Sequence, residues 1–367
     1  MTIVLSLLIF LLILSFLVII HEFGHFITAK WFGLEVNEFA IGFPPRIWSK
    51  QWRGTHYSIG AIPIGGFVSI KGESDVSEVT PGSFASLNRF KRSVILLAGV
   101  VMNFLLAVAI FSVIFAQGVE VPTDKVKVSQ VAAGSPAQEV GLNSGDIILS
   151  AAGRSVNSSS DLKIAVQTSL DQPVELKFER SGETHTVVIT PRSHPPAGQG
   201  AMGVTLDQAT ETRSYPWYEA PVKGVEFTLK FISLNLQLLG TAVANIFVGQ
   251  TQLAEQVSGP VGIAYLTYQQ VKTDPTTLLQ LTAIISLSLA MMNVLPIPAL
   301  DGGRLLFVLI SALFRRNFYP KLERYIHTAG FVILMALIVV ITYNDLVKII
   351  TTTSLGGKLN EILKSLP

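Results

Sequence analysis

Val18-Ile19-Ile20-His21-Glu22-Phe23-Gly24-His25-Phe26 closes an apolar run, Ile3 to Ile20, whose polar members are Ser6 and Ser15. A run of that length enters a bilayer as a helix. Three ionisable side chains therefore end a membrane segment. Each costs on the order of 2–3 kcal/mol or more at membrane depth, so such groups face a protein interior and by default carry function. On a helix His21 and His25 stand one turn apart on one face. Both imidazoles can reach one metal ion, with Glu22 beside its open position. The plain alternative is a hydrogen-bonded pair of core histidines, and the cost of unpaired polar groups in lipid weighs against it.

His-Glu-x-x-His on a helix is the arrangement of zinc hydrolases. The set still lacks a third ligand. The 367 residues contain no cysteine, so the metal has to be held by histidine and carboxylate, and a disulfide framework is excluded. Composition gives the setting: 49% hydrophobic, 14% charged, mean hydropathy +0.50. This is a polytopic α-helical membrane protein with some soluble mass. A formal charge of +2, without a basic-aromatic stripe, excludes nucleic acid as a partner. The N-terminal run has no basic leader or small-residue cleavage site, and is read as a retained span.

Four transmembrane helices are expected. Residues 1–116 form the first half of the membrane core, with spans Ile3–Ile20 and Val94–Ala116. The intervening loop carries Lys30, Arg46, Lys50, Arg53, Lys71, Arg89, Lys91 and Arg92, which places it in the cytoplasm and the N-terminus outside. Within it, residues 57–71 alternate apolar and small residues around Gly65-Gly66, as short strands with a turn do. This is either a surface hairpin or a membrane-associated β-loop. In the second span, Ala98 and Gly99 permit close helix contact, and Asn103 is either interhelical glue or a site residue.

Residues 117–210 change to Pro, Gly, Ser, charges and short β-rich runs, the composition of a soluble domain of about 90 residues. The stretch Ala133-Gly134-Ser135-Pro136 to Asp146-Ile147-Ile148 resembles the bacterial PDZ signature, a short helix running into a glycine turn and a strand. Such domains bind extended peptides or chain ends by adding a strand to a sheet edge. A structural spacer is the alternative. Residues 211–275 read as an interfacial or re-entrant amphipathic linker: Gly224 to Val248 is apolar yet contains Glu226, Lys230, Asn235, Gln237 and Asn245. If it crossed the membrane, Arg315, Arg316, Lys321 and Arg324 would fall outside, against the positive-inside rule.

Residues 276–350 form the second half of the core. Leu278 to Phe314 is broken at Asn293-Val294-Leu295-Pro296-Ile297-Pro298-Ala299-Leu300-Asp301-Gly302-Gly303, because two prolines and a glycine pair interrupt a helix. Asp301 opens a half-helix, where it can be an N-cap or the missing ligand. Gly330 to Tyr343 is the last span, and 351–367 is a short tail.

Taken together, HEFGH in the first span, a later Asn-x-x-Pro-x-Pro-x-Leu-Asp-Gly-Gly and a PDZ-like insert between the central spans resemble the site-2 protease family, more narrowly its bacterial regulator-of-sigma-E type. The resemblance implies one Zn2+ per chain on His21, His25 and Asp301, with Glu22 as the catalytic residue. It implies substrate contacts from Asn293, from the β-loop with Gly65, Gly66, Phe67 and Val68, and from a Gly-x-x-x-Asn element, Gly99 to Asn103. Many Gram-negative members have two PDZ domains, whereas this chain has room for one. The implied activity is intramembrane endopeptidase cleavage of single-span membrane proteins, such as anti-sigma factors or signal-peptide remnants, at the bacterial inner membrane. The active site would lie toward the cytoplasm and the PDZ-like domain would be extracytoplasmic. A membrane metal transporter and a non-catalytic PDZ scaffold are the rival classes. A transporter needs ligands but not the base that Glu22 supplies.

Overall fold

The computed structural model describes residues 3–73, 80–247, 259–270, 275–314 and 320–352. Arg315, Arg316 and the tail from residue 353 lie outside the described residues. The chain divides into two units, Met1–Ala116 with Pro216–Pro367, and Gln117–Tyr215. In chain order the elements are α1 (Ile3–Trp31), β1 (Val36–Trp52), β2 (Thr55–Ile70) and α2 (Arg89–Gln117). The second unit holds β3 (Val119–Val131), α3 (Pro136–Glu139), β4 (Ile147–Ala151), β5 (Arg154–Ser155), α4 (Ser159–Gln167), β6 (Val174–Arg180), β7 (Glu183–Ile189) and β8 (Val204–Arg213). The first unit resumes with α5 (Ala220–Phe247), α6 (Pro260–Gln270), α7 (Pro275–Val294), α8 (Asp301–Leu313) and α9 (Pro320–Thr352).

Among the described residues, four helices are long and apolar enough to cross a membrane: Leu5–Trp31, Arg89–Gln117, Thr276–Val294 and Lys321–Thr351. The first does not stop at Ile20. It runs on to Trp31, so the His-Glu-x-x-His stretch sits inside a helix rather than at its end. Polar side chains end an apolar pattern without ending a helix, because Glu, Ala and Lys are all good helix formers.

The β-loop is larger than the expected 57–71. β1 and β2 each fold back on themselves, so that Ala40 lies opposite both Ser58 and Phe67, and Ser58 opposite both Ala40 and Ser49. Glu38 ties this fold-back. Buried, its carboxylate accepts from Arg46 Nε at 2.8 Å and from Ser58 Oγ at 2.5 Å. Gly42, Pro44 and Pro45 break the alternation of β1, which hid it as a strand. Ser15, a polar member of the first apolar run, fastens β2 to α1: its hydroxyl donates to Pro63 O at 2.8 Å and accepts from Gly65 N at 3.0 Å.

The stretch read as a linker forms two helices. α5 lies close on α2, where a Cβ added at Gly224 would come within 2.6 Å of Ser112 Oγ, and Phe227 packs on Phe111 with ring centroids 4.6 Å apart. Glu226 pairs with Lys223 and Lys230 along its side. α6 packs against α1, α7 and α9. Its start is fixed by the buried Asp345 of α9, which accepts from Gly259 N at 2.9 Å and Gly262 N at 2.8 Å. A carboxylate on exposed helix N–H groups meets both hydrogen bonding and the helix dipole.

The second unit is a six-stranded antiparallel sheet in the order β7-β6-β4-β3-β8, with β5 on β4. Its core gathers Val126, Val128, Leu142, Ile148, Leu162 and Leu176 under the two short helices. Ser135 caps α3 by accepting from Gln138 N, and Gly141 and Gly145 take positive φ where the chain turns into β4. The turn is anchored by Asp146, 1% exposed, which accepts from Asn143 N and from Arg180 through Nε and Nη2, both at 2.7 Å. Burial alone would raise the Asp146 carboxyl, but Arg180 and the Asn143 N–H hold it below the usual carboxylate range. Its stabilisation is therefore present above the unfolded pKa of about 4 and is lost as pH falls through the lower folded value. Arg180→Met should destabilise the sheet, because it leaves the buried Asp146 carboxylate without its cation, and by less than breaking a fully enclosed pair would, because the Arg180 side chain is 36% exposed. Hydrogen exchange at β4 and β6 amides in the intact protein checks both effects: faster exchange in the variant at neutral pH, and a wild-type difference that closes below about pH 4.

Candidate metal centre

α1 carries His21 and His25 inward, 7% and 6% exposed. Their Nε2 atoms are 3.2 Å apart. Asp301 reaches both from the start of α8, its Oδ2 standing 2.9 Å from His21 Nε2 and 3.3 Å from His25 Nε2. Asp301 does not cap its helix. The N-cap is Leu300, with no side-chain cap bond, so the carboxylate is spent on the histidines. Among the described residues these three form the group able to hold a metal ion, their ligand atoms all within 4.8 Å of one another.

The donor set fits a cation. His25 Nδ1 donates to Ile95 O of α2 at 2.8 Å, which in the neutral ring leaves its Nε2 a bare lone pair. Asp301 is an acceptor, and His21 Nε2 can bring at most one proton. With both rings neutral, one proton cannot satisfy three acceptors in a buried space, whereas a metal ion, which binds neutral imidazoles, does. Two imidazoles and a carboxylate are a zinc set with one position left open. His21 Nδ1 has no hydrogen-bond partner among the described residues, and its ring is held edge-on against His25 with centroids 4.8 Å apart.

Glycines make the room. A Cβ at Gly24 would meet Ala98 O at 2.4 Å, so α1 and α2 approach closely there. A Cβ at Gly99 would lie 2.4 Å from His25 Nε2 and 2.7 Å from His21 Nε2. Position 99 thus borders the ligand atoms themselves. Gly24 was concealed in the sequence as a free position of the motif.

Glu22 lies beside this set and accepts from Val68 N of β2 at 3.0 Å. Of the other residues singled out in the sequence, Phe67 is half-buried and stacks on Phe43. Gly66 is needed by the protein's own strand, since a Cβ there would come 2.5 Å from Ala40 O. Gly65, at φ +71°, lies against Val18. The glycine pair serves contacts of β2 with β1 and α1. Asn103 is fully buried, its backbone carbonyl accepting from Ser286 Oγ of α7 at 2.9 Å. It belongs to the interface of α2 with α7. Asn293 is half-buried at the end of α7.

A buried pair of histidines followed by a glutamate on a helix apolar enough to cross a membrane, met by a carboxylate from a neighbouring helix, has the composition of a membrane metallohydrolase site. The profile described as Peptidase family M50 matches residues 9–337, and the chain belongs to that family, the site-2 proteases, as a zinc metalloprotease. Two proteins carrying the name "Putative zinc metalloprotease" are 33% identical to it. One, from Clostridium perfringens, covers 92% of this chain and 97% of its own, and the other, from Fusobacterium nucleatum, covers 93% and 98%. The zinc metalloprotease RasP of Oceanobacillus iheyensis is 29% identical, over 92% and 97%. A solved PDZ domain of an SdrC-like protein from Listeria monocytogenes aligns at 25% identity with 24% of this chain and 93% of its own, at a TM-score of 0.21, too low to support a shared fold. Membership of an enzyme family sets aside the transporter and scaffold readings.

Gly99→Ala should empty the site. The added methyl cannot fit 2.4 Å from a ligand nitrogen without parting α1 from α2. Metal analysis of the purified variant should find zinc well below one per chain and activity down about 100-fold or more.

Proposed function

We propose that this zinc metalloprotease is an intramembrane endopeptidase that cuts single-span membrane proteins in or near their transmembrane segment. Anti-sigma factors and signal-peptide remnants are the expected kinds of substrate. The observation that carries the reading is that His21 and His25 lie within an apolar helix long enough to cross a membrane and meet Asp301 there, with Glu22 next to His21 in the chain. His21, His25 and Asp301 would hold one zinc ion. When bound, zinc supplies the Lewis acid for the scissile carbonyl and the attacking water. Glu22 takes the proton from that water and returns it to the leaving amine, while the Val68 N–H orients its carboxylate.

An α-helical substrate hides its carbonyls in its own hydrogen bonds, so the segment to be cut must be drawn out and its backbone given new partners. β2 and Asn293 are the candidates to provide them. The far end of the sheet exposes Phe43, Ile47, Trp48, Ile59, Ile62 and Ile64, which supports a sheet lying against lipid. In the second unit a groove of about 440 Å³ runs between α4 and the edge strand β8, lined by Leu162, Val166, Leu170, Met202, Val204 and Leu206. It supports a PDZ-like role, in which an extended peptide or chain end adds to β8. The reading puts the protein in the bacterial inner membrane with the metal centre toward the cytoplasm and residues 117–210 outside.

Cleavage of a single-span reporter by the purified enzyme tests the mechanism. Glu22→Gln should retain zinc and lose cleavage by about 10⁴-fold or more, whereas Asp301→Ala should lose the zinc itself. Full zinc in the Asp301 variant, or undiminished cleavage by the Glu22 variant, would refute these roles. Orientation is checked with a cysteine placed at Ser158, since the chain has none of its own. It should react with an impermeant reagent from the extracytoplasmic side, and labelling from the cytoplasmic side only would reverse the topology.

A further inference from the structure

The turn between α7 and α8, which delivers Asp301, is gripped from two sides. On one side α8 begins on top of it: a Cβ at Gly302 would lie 2.2 Å from Leu295 O, and one at Gly303 2.3 Å from Ile297 O. On the other side stands α9. A Cβ at Gly330 would meet Pro298 Cβ at 2.3 Å. One turn earlier on the same face, His327 Nδ1 accepts the Ala299 N–H at 3.0 Å.

Ala299 has φ +81°, in the left-handed region that residues with a Cβ avoid. A turn held in a disfavoured conformation springs back unless its surroundings fix it. The His327 bond falls on the strained residue itself. The imidazole rests on Phe307 of α8, with centroids 5.5 Å apart, and its Nε2 is buried without a partner among the described residues. The ring thus commits its accepting nitrogen to the turn.

We propose that His327 is a positioning residue of the metal centre. By holding Ala299 in its left-handed conformation it sets where Asp301, two residues on, presents its carboxylate to His21 and His25. This rests on the reading of Asp301 as a zinc ligand. It makes α9 a working part of the site, although α9 supplies no ligand. Asn can replace the acceptor, because its Oδ1 occupies nearly the place of Nδ1, whereas Phe keeps the ring's packing and lacks the acceptor.

The test uses the intact chain in nanodiscs, with zinc affinity read by competition against a chromophoric chelator and the ligand field by visible absorption of the cobalt(II) form. H327F should weaken zinc binding about tenfold or more and alter the cobalt spectrum, while H327N stays within about threefold of wild type. Adding Ala299→Gly to H327F should recover most of the loss, because glycine adopts the turn without strain. Wild-type affinity in H327F while Asp301→Ala binds no zinc would overturn the clamp alone. Equal losses in H327N and H327F would also overturn it, since packing and not the acceptor would then matter. Zinc retained by Asp301→Ala would overturn the ligand reading and the clamp with it.

Discussion

Two imidazole nitrogens and a carboxylate oxygen meet in the helical unit, and most of its architecture can be derived from that convergence. His21 and Asp301 are 280 positions apart, so their meeting requires α1, α2 and the start of α8 to close on one point. Ordinary helices keep their axes 8–10 Å apart. Here the crossing has to be tight enough for a main-chain carbonyl of α2 to hold His25, and Gly24 against Ala98 permits that. The broken helix answers the same demand from the other side. A continuous helix through residues 294–301 would carry Asp301 along its own axis, whereas the turn lets a new helix start beside α1.

The apolar surroundings make the arrangement exacting. Where water is scarce, a polar atom without a partner has few alternatives, so each polar side chain in the helices tends to be matched to one specific group. Ser15 is matched to β2, Glu22 to Val68, Asp345 to the start of α6 and His327 to Ala299. These ties join α1 to β2, and α9 to the start of α6 and to the turn before α8. Asn103 and Ser6 stand apart: the Asn103 amide atoms and the Ser6 hydroxyl have no partner among the described residues, and we have no physical account of that.

The sequence made some of this legible and concealed the rest for identifiable reasons. The grouping of His21, His25 and Asp301 could be read because ionisable residues in apolar runs stand out, and because Pro296, Pro298 and the glycine pair announced a break. β1 was concealed by the prolines within it, which resemble loop punctuation although they sit where the strand folds back. α6 was concealed by its polar flanks, and its tie to Asp345 spans 86 positions with no local signal. His327 fell outside the segment taken as the last span, which begins three residues later at Gly330. Had the helix been extended to Pro320, a histidine within it would have drawn notice by the same reasoning that singled out His21.

The hydrogen bond from Val68 N to Glu22 links two things that enzymes commonly keep separate. The carboxylate is oriented by the edge segment of the same small sheet that a substrate strand would join. If a peptide adds to β2, any tug on that strand is transmitted to the group that moves the proton. Changes in β2 should then appear in turnover at saturating substrate as well as in apparent affinity, because the strand is both handle and lever. Such a coupling also gives an idle enzyme a form of restraint. With nothing added to the sheet, the Val68 N–H alone would steady Glu22, and a strand laid along β2 would stiffen that support.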